Sequence, residues 1–79
     1  MHRFYFHLYE RNTCTLDEEG HTLSGSEAAL AEAILAARAV MADEVKSGRL
    51  CLDCRIEIIN DVGVPVATVP FTDALEIIV

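Results

Sequence analysis

One uninterrupted helix-forming run, from Ser24 to the glycine at 48, constrains this chain more than any other feature. Ser24-Gly25-Ser26-Glu27 reads as a capping box, in which the Ser24 hydroxyl accepts from the Glu27 amide and the Glu27 carboxylate reaches back. Ser26 competes for the cap position, which leaves the start open by a residue or two. Ala, Leu, Glu and Met fill the interior, all good helix formers, and no proline interrupts them. Lys46 suits the negative end of the helix dipole, and Gly48 supplies the left-handed residue that ends a helix. At about 100° per residue, Leu30, Ile34, Ala37, Met41 and Val45 share one stripe, the pattern of a core-facing helix. Leu35 and Val40 fall outside it.

Short alternating segments flank the helix. Arg3 to Tyr9 sets Phe4, Phe6 and Leu8 against Tyr5, His7 and Tyr9. Cys14 to Leu16 reads as a short return strand, and Asp17-Glu18-Glu19-Gly20 as a turn. Beyond the helix, Cys54 to Ile59 alternates again, and Asn60-Asp61-Val62-Gly63 reads as a hairpin turn. Val64 to Val69 returns, with Pro65 restricting that strand to an edge or a bulge. Thr72 to Leu75 reads as a short terminal turn before an apolar tail.

The order is ββαββ, an α+β fold in which an antiparallel sheet of about four strands carries one long helix on one face. The chain reads as one domain over 1–79: a strand pair at 3–23, the helix at 24–47, a strand pair at 54–71 and a tail at 72–79. Phe4, Phe6, Ile56, Ile58 and Val66 are expected to meet Leu30, Ile34, Met41 and Val45. Tyr5, His7, Tyr9, Arg55, Glu57 and Ile59 are left on a bare sheet face.

Composition narrows the function. A domain of 79 residues buries only about 60% of its unfolded surface, yet 52% of this one is hydrophobic. An oligomer, specifically a homodimer, accounts for the excess. Thirteen acidic residues against six basic give a net charge of −7, which a nucleic-acid backbone would repel. Glu32, Arg38 and Asp43 interrupt the helix, so it is not expected to span a membrane. With no signal-peptide pattern at the N-terminus, the cytoplasm is the expected location. An odd count of three cysteines reads there as thiols, not a disulfide framework.

Several segments together resemble a family of small bacterial domains of unknown function. They are the opening Arg3 to His7, the turn Asp17 to Gly20 followed by Leu23, and the helix pieces Ala31-Glu32-Ala33 and Ala37-Arg38. Gly48, Arg55-Ile56-Glu57-Ile58 and the closing Thr68-Val69-Pro70-Phe71 with Ala74-Leu75 complete the resemblance. It implies the fold and a bacterial cytoplasmic setting, and no activity. The cysteines are not part of its pattern.

Candidate sites are few. Cys51-Leu52-Asp53-Cys54 is a CxxC, but it precedes a strand instead of opening a helix, where a lowered thiol pKa arises. Zinc needs about four ligands, and Cys14, His2, His7 and His21 are not at matching spacings. If residues 51 and 54 lie in a strand-like run, their side chains point to opposite faces. Cys51 and Cys54 are therefore read as plain thiols, with thiol or metal binding as an alternative. Tyr5, His7 and Tyr9 on one strand face are candidates for ligand stacking or for an interface. The three carboxylates at 17–19 lack the spacing of a calcium loop. No nucleophile elbow or phosphate loop occurs, and no cofactor is expected.

The sequence thus points to a non-enzymatic interaction domain that self-associates, with Tyr5, His7, Tyr9, Leu35 and Val40 as contact candidates. An alternative is the antitoxin-like partner of a basic protein, by analogy with small acidic antitoxins.

Overall fold

The computed structural model describes residues 1–79. Its elements are β1 (His2–Tyr9), β2 (Cys14–Thr15), β3 (His21–Leu23), α1 (Ser26–Lys46), β4 (Arg55–Asn60), β5 (Pro65–Pro70) and a 3-10 helix, η1 (Phe71–Ala74). The fold is α+β. One antiparallel sheet of five strands carries the helix against one face. β1 and β4 are central and β5 is an edge. β2 and β3 share the other edge, β2 against the end of β1 and β3 against its start. Since β1 is antiparallel to both β3 and β4, those two run parallel with β1 between them. The helix is the crossover that joins them.

The helix ends as its composition demands, but it does not begin that way. Gly25, not Ser24, takes the N-cap position, and no side chain caps the helix. Ser24 lies one residue too early for its hydroxyl to close the expected box. At the other end Gly48 adopts φ +79°. Its amide donates to the Val45 carbonyl and the Arg49 amide to the Glu44 carbonyl, which is a Schellman motif.

The buried stripe is rotated from the expected one. Ala29, Ala33, Ala37 and Met41 face the sheet, with Ile34, Ala36 and Val40 packed beside them. Leu30 is 41% exposed and Val45 59%, so the expected contacts of these two with the sheet do not form. The cause is size. A ridge of alanines lets the helix axis approach the sheet closely, and larger side chains at the same positions would hold it off. Val40, an apparent misfit in the sequence, is half-buried against the core. Replacing Ala33 with Leu is expected to cost about 2 kcal/mol through overpacking, while Leu35→Ala costs well under 1. Denaturant midpoints of the two variants check this.

Phe4, Ile56, Ile58, Val69 and Phe71 complete the core from below, with Phe6, Leu8 and Val66 around them. Phe71 is fully buried at the start of η1, where its amide donates to the Cys54 carbonyl. Full burial of such a side chain contributes about 2–3 kcal/mol. Arg38 Nε donates to the Ala74 carbonyl at 2.8 Å and ties the helix to η1. The β4–β5 hairpin turns through Asp61, Val62 and Gly63, with Gly63 at φ +82°. Asn60 Oδ1 accepts from the amides of Val62 and Val64 and holds that turn. Pairing shifts register beyond Ile58, so β5 is both an edge and bulged next to Pro65. No helix is long and apolar enough to cross a membrane.

Candidate functional site

Because side chains alternate along a strand, one face of β1 and β4 meets the helix and the other has no layer over it. On the second face the two central strands set three pairs directly opposite one another: Tyr5 with Ile59, His7 with Glu57, and Tyr9 with Arg55. All six side chains are half-buried. The Arg55 guanidinium lies 4.4 Å over the Tyr9 ring, and its Nε donates to Glu57 Oε2 at 2.9 Å. These contacts fix a cation, an anion and an aromatic ring in one row. The Tyr9 hydroxyl is pushed above its ordinary pKa, first by its hydrogen bond with Cys14, then by the Cys14 charge, burial and Glu57, against the opposing pull of Arg55.

His7 is held from the sheet edge. Between β2 and β3 the chain leaves β1 without a regular neighbour, and Asp17 fills the gap. Asp17 Oδ2 accepts from the Phe6 amide at 3.1 Å, in place of a missing strand carbonyl. Asp17 Oδ1 accepts from the amides of Gly20 at 3.0 Å and Glu19 at 3.3 Å. The Asp17 amide in turn donates to His7 Nδ1 at 3.0 Å. That bond requires Nδ1 to be unprotonated, which assigns the proton of the neutral ring to Nε2. Burial alone would raise the Asp17 pKa. The amides of Gly20, Phe6 and Glu19, with the His21 charge, outweigh it and hold the carboxyl below its ordinary value.

Gly20 completes the lock. It sits at φ +73°, and a Cβ there would lie 2.9 Å from the Phe4 carbonyl oxygen and 3.0 Å from the Tyr5 ring. Arg3 Nη1 donates to the Glu19 carbonyl. The opening segment at 3–7 and the turn at 17–20 are therefore one hydrogen-bonded unit that shapes the rim of the open face.

The remaining candidates lie elsewhere. Leu35 points to the outer side of the helix, 58% exposed, away from the sheet. Cys51 and Cys54 are not separate thiols: they are joined in a disulfide, with their Cα atoms 5.8 Å apart. The expectation of opposed side chains fails because residues 51–54 do not form a strand. Leu52 and Asp53 make a bend that brings the two sulfurs together. In this state neither sulfur is a free ligand. No group of three or more His, Cys, Asp or Glu side chains converges as a metal site. Cys14 is free and exposed. An open cleft of about 680 Å³ lies at the end of the sheet between residues 10–13, Glu44 and residues 49–54.

Two features of the structure leave little trace in the sequence. The Asp17 carboxylate as a substitute for a strand has the signature of an ordinary turn. The bridge could have been suspected from the CxxC spacing alone.

No curated protein and no solved structure matches the chain. A family model described as a domain of unknown function, DUF6894, matches residues 3–72, a span that holds the opening segment, the Asp17–Gly20 turn, the helix and the second hairpin. The chain belongs to this family of domains of unknown function.

Proposed function

We propose that this chain is a small, non-enzymatic interaction domain of the cytoplasm that forms a two-fold homodimer through the open face of its sheet. The supporting observation is the charge on that face. In a chain of net charge −7, Glu57 is the one acid among the six central residues, and Arg55 neutralises it. A two-fold interface brings a patch against its own copy, so a patch with net charge repels itself and a balanced one does not. Tyr5, Tyr9 and Ile59 supply the aromatic and apolar area that interface centres favour.

Leu35 lies on the other side of the molecule, beyond the helix, so one two-fold contact cannot use both surfaces. An isolated exposed leucine needs no partner. Val40 is already spoken for by the core.

Light scattering at micromolar concentration is expected to give twice the chain mass of 8.7 kDa. Ile59→Glu places a second acid on each face and is expected to weaken self-association at least tenfold, about 1.4 kcal/mol, with the circular dichroism spectrum unchanged. His7→Ala should weaken it less. A wild-type mass of one chain at every concentration contradicts the proposal.

A further inference from the structure

The Cys51–Cys54 bridge sits where a structural staple has little to do. It closes a loop of four residues within one link, so it joins no two elements that the chain does not already hold together. Its two ends are unlike. Cys54 is 1% exposed, in the core at the foot of β4, and its carbonyl is taken by the Phe71 amide. Cys51 is half-buried and lines the cleft at the end of the sheet. The Cys51 amide donates to Glu44 Oε1 at 3.4 Å, which anchors the link to the last turns of the helix. Arg11 lines the same cleft but is paired with Asp53. Arg49 also lines it, as do the acids Glu10, Glu44 and Asp53, so the cleft carries charges of both signs. A cleft of about 680 Å³ is within the size range that takes small molecules.

We infer that Cys51–Cys54 is a thiol–disulfide exchange site for a small, peptide-sized thiol, attacked at Cys51 with Cys54 as the leaving group. The incoming thiolate forms a bond to Cys51 Sγ. The Cys51–Cys54 bond breaks, and its electron pair leaves on Cys54 Sγ, which takes a proton from water. A second thiolate attacks the sulfur of the first thiol, releases it as a symmetrical disulfide and leaves Cys51 as a thiolate. Two thiols are oxidised and one protein disulfide is reduced. The reverse, with the symmetrical disulfide as oxidant, closes the bridge again. Asymmetry of access sets the direction of attack, since both residues line the cleft but Cys51 is half-buried and Cys54 is 1% exposed. A bridge that opens and closes in this way is also compatible with a reducing compartment, where permanent disulfides are rare.

The test uses the oxidised full chain carrying Cys14→Ser, so that the free surface thiol does not interfere. It is incubated without denaturant in reduced glutathione over a hundredfold range of concentration, then alkylated and mapped by mass spectrometry. The expected opening rate is proportional to thiolate concentration, and the mixed disulfide maps to Cys51. In a parallel experiment with oxidised glutathione, Cys54→Ser is expected to form the Cys51 adduct at least ten times faster than Cys51→Ser forms the Cys54 adduct, each exchange releasing one glutathione thiolate. The rate law on the chain with both cysteines needs no variant at 51 or 54 to fold. An opening rate independent of thiol concentration would mean that the bridge opens only on unfolding and overturns the inference. So does an adduct at Cys54, or a bridge that yields only to a folded protein dithiol.

Discussion

Gly20→Ala is expected to remove about 3–4 kcal/mol of stability, the largest effect of any single methyl group in this chain. Two costs add. A left-handed residue with a Cβ costs about 1–2 kcal/mol. The new carbon would also lie 2.9 Å from a backbone oxygen, that of Phe4, which belongs to a central strand and has nowhere to move. Gly48 gives the control. It is equally left-handed, at φ +79°, but nothing lies within 4 Å of its missing Cβ. Gly48→Ala should therefore cost only about 1–2 kcal/mol. A domain of this length has roughly 4–12 kcal/mol in total, so the first substitution takes a large share and the second does not. Thermal melts should separate the two by on the order of 10 °C. Equal melting points would mean that the turn at 17–20 is free to shift, and the lock between it and the opening strand would be refuted.

Asp17→Ala is expected to cost about 3 kcal/mol. It leaves the amides of Phe6, Glu19 and Gly20 without their acceptor and removes the carboxylate that stands in for a strand. A half-buried amide that loses its acceptor costs about 1 kcal/mol or more, discounted where water can enter. Asp17→Asn keeps an acceptor oxygen and should cost about half as much. The asparagine variant also carries a signature in pH. The native carboxyl titrates below its ordinary value near 3.9, so its contribution is fully present above that pH. It is lost as pH falls through the lower, folded value. Denaturant unfolding between pH 6 and pH 2 should show the native chain losing stability in the acid range. The asparagine variant should lack this residue's share of the loss. Parallel curves for the two proteins would exclude the carboxylate from the role assigned to it.

The opening at 3–7 and the turn at 17–20 fit each other, and what they build is the edge that positions His7 and Tyr5. Nothing in the pair resembles a catalytic dyad, since the His7 nitrogen that faces Asp17 meets its backbone amide and not its carboxylate. The arrangement is a scaffold, and the surface it frames is the open sheet face.

How far the sequence revealed this depends on which signal carried each part. Period-two alternation in Arg3–Tyr9 and Arg55–Ile59 is a direct image of a sheet with two unlike faces, so the composition of the open face was readable before any coordinates. The helix was readable from its formers and from Gly48. Its orientation was not, because a hydrophobic stripe is scored by large side chains. The close contact instead selected small ones at Ala29, Ala33 and Ala37. Leu30 and Val45 were drawn into the expected core by the same error. The sequence is also silent on long-range partners. Asp17 reaches Phe6 across eleven positions, and no local pattern encodes that bond. The disulfide was not legible because an odd count of three cysteines reads as thiols, and the bend at Leu52 and Asp53 that brings two of them together has no local signature.

The claim on which the functional account rests is that the uncovered face of β1 and β4 is the surface where two copies meet. Backbone and side-chain NMR spectra recorded across a dilution series test it residue by residue. The signals of Tyr5, His7, Tyr9, Arg55, Glu57 and Ile59 should shift together with concentration, while those of Ala31, Leu35 and Ala42 on the outer helix stay fixed. Shifts confined to the helix, or spectra unchanged from micromolar to millimolar, would contradict it.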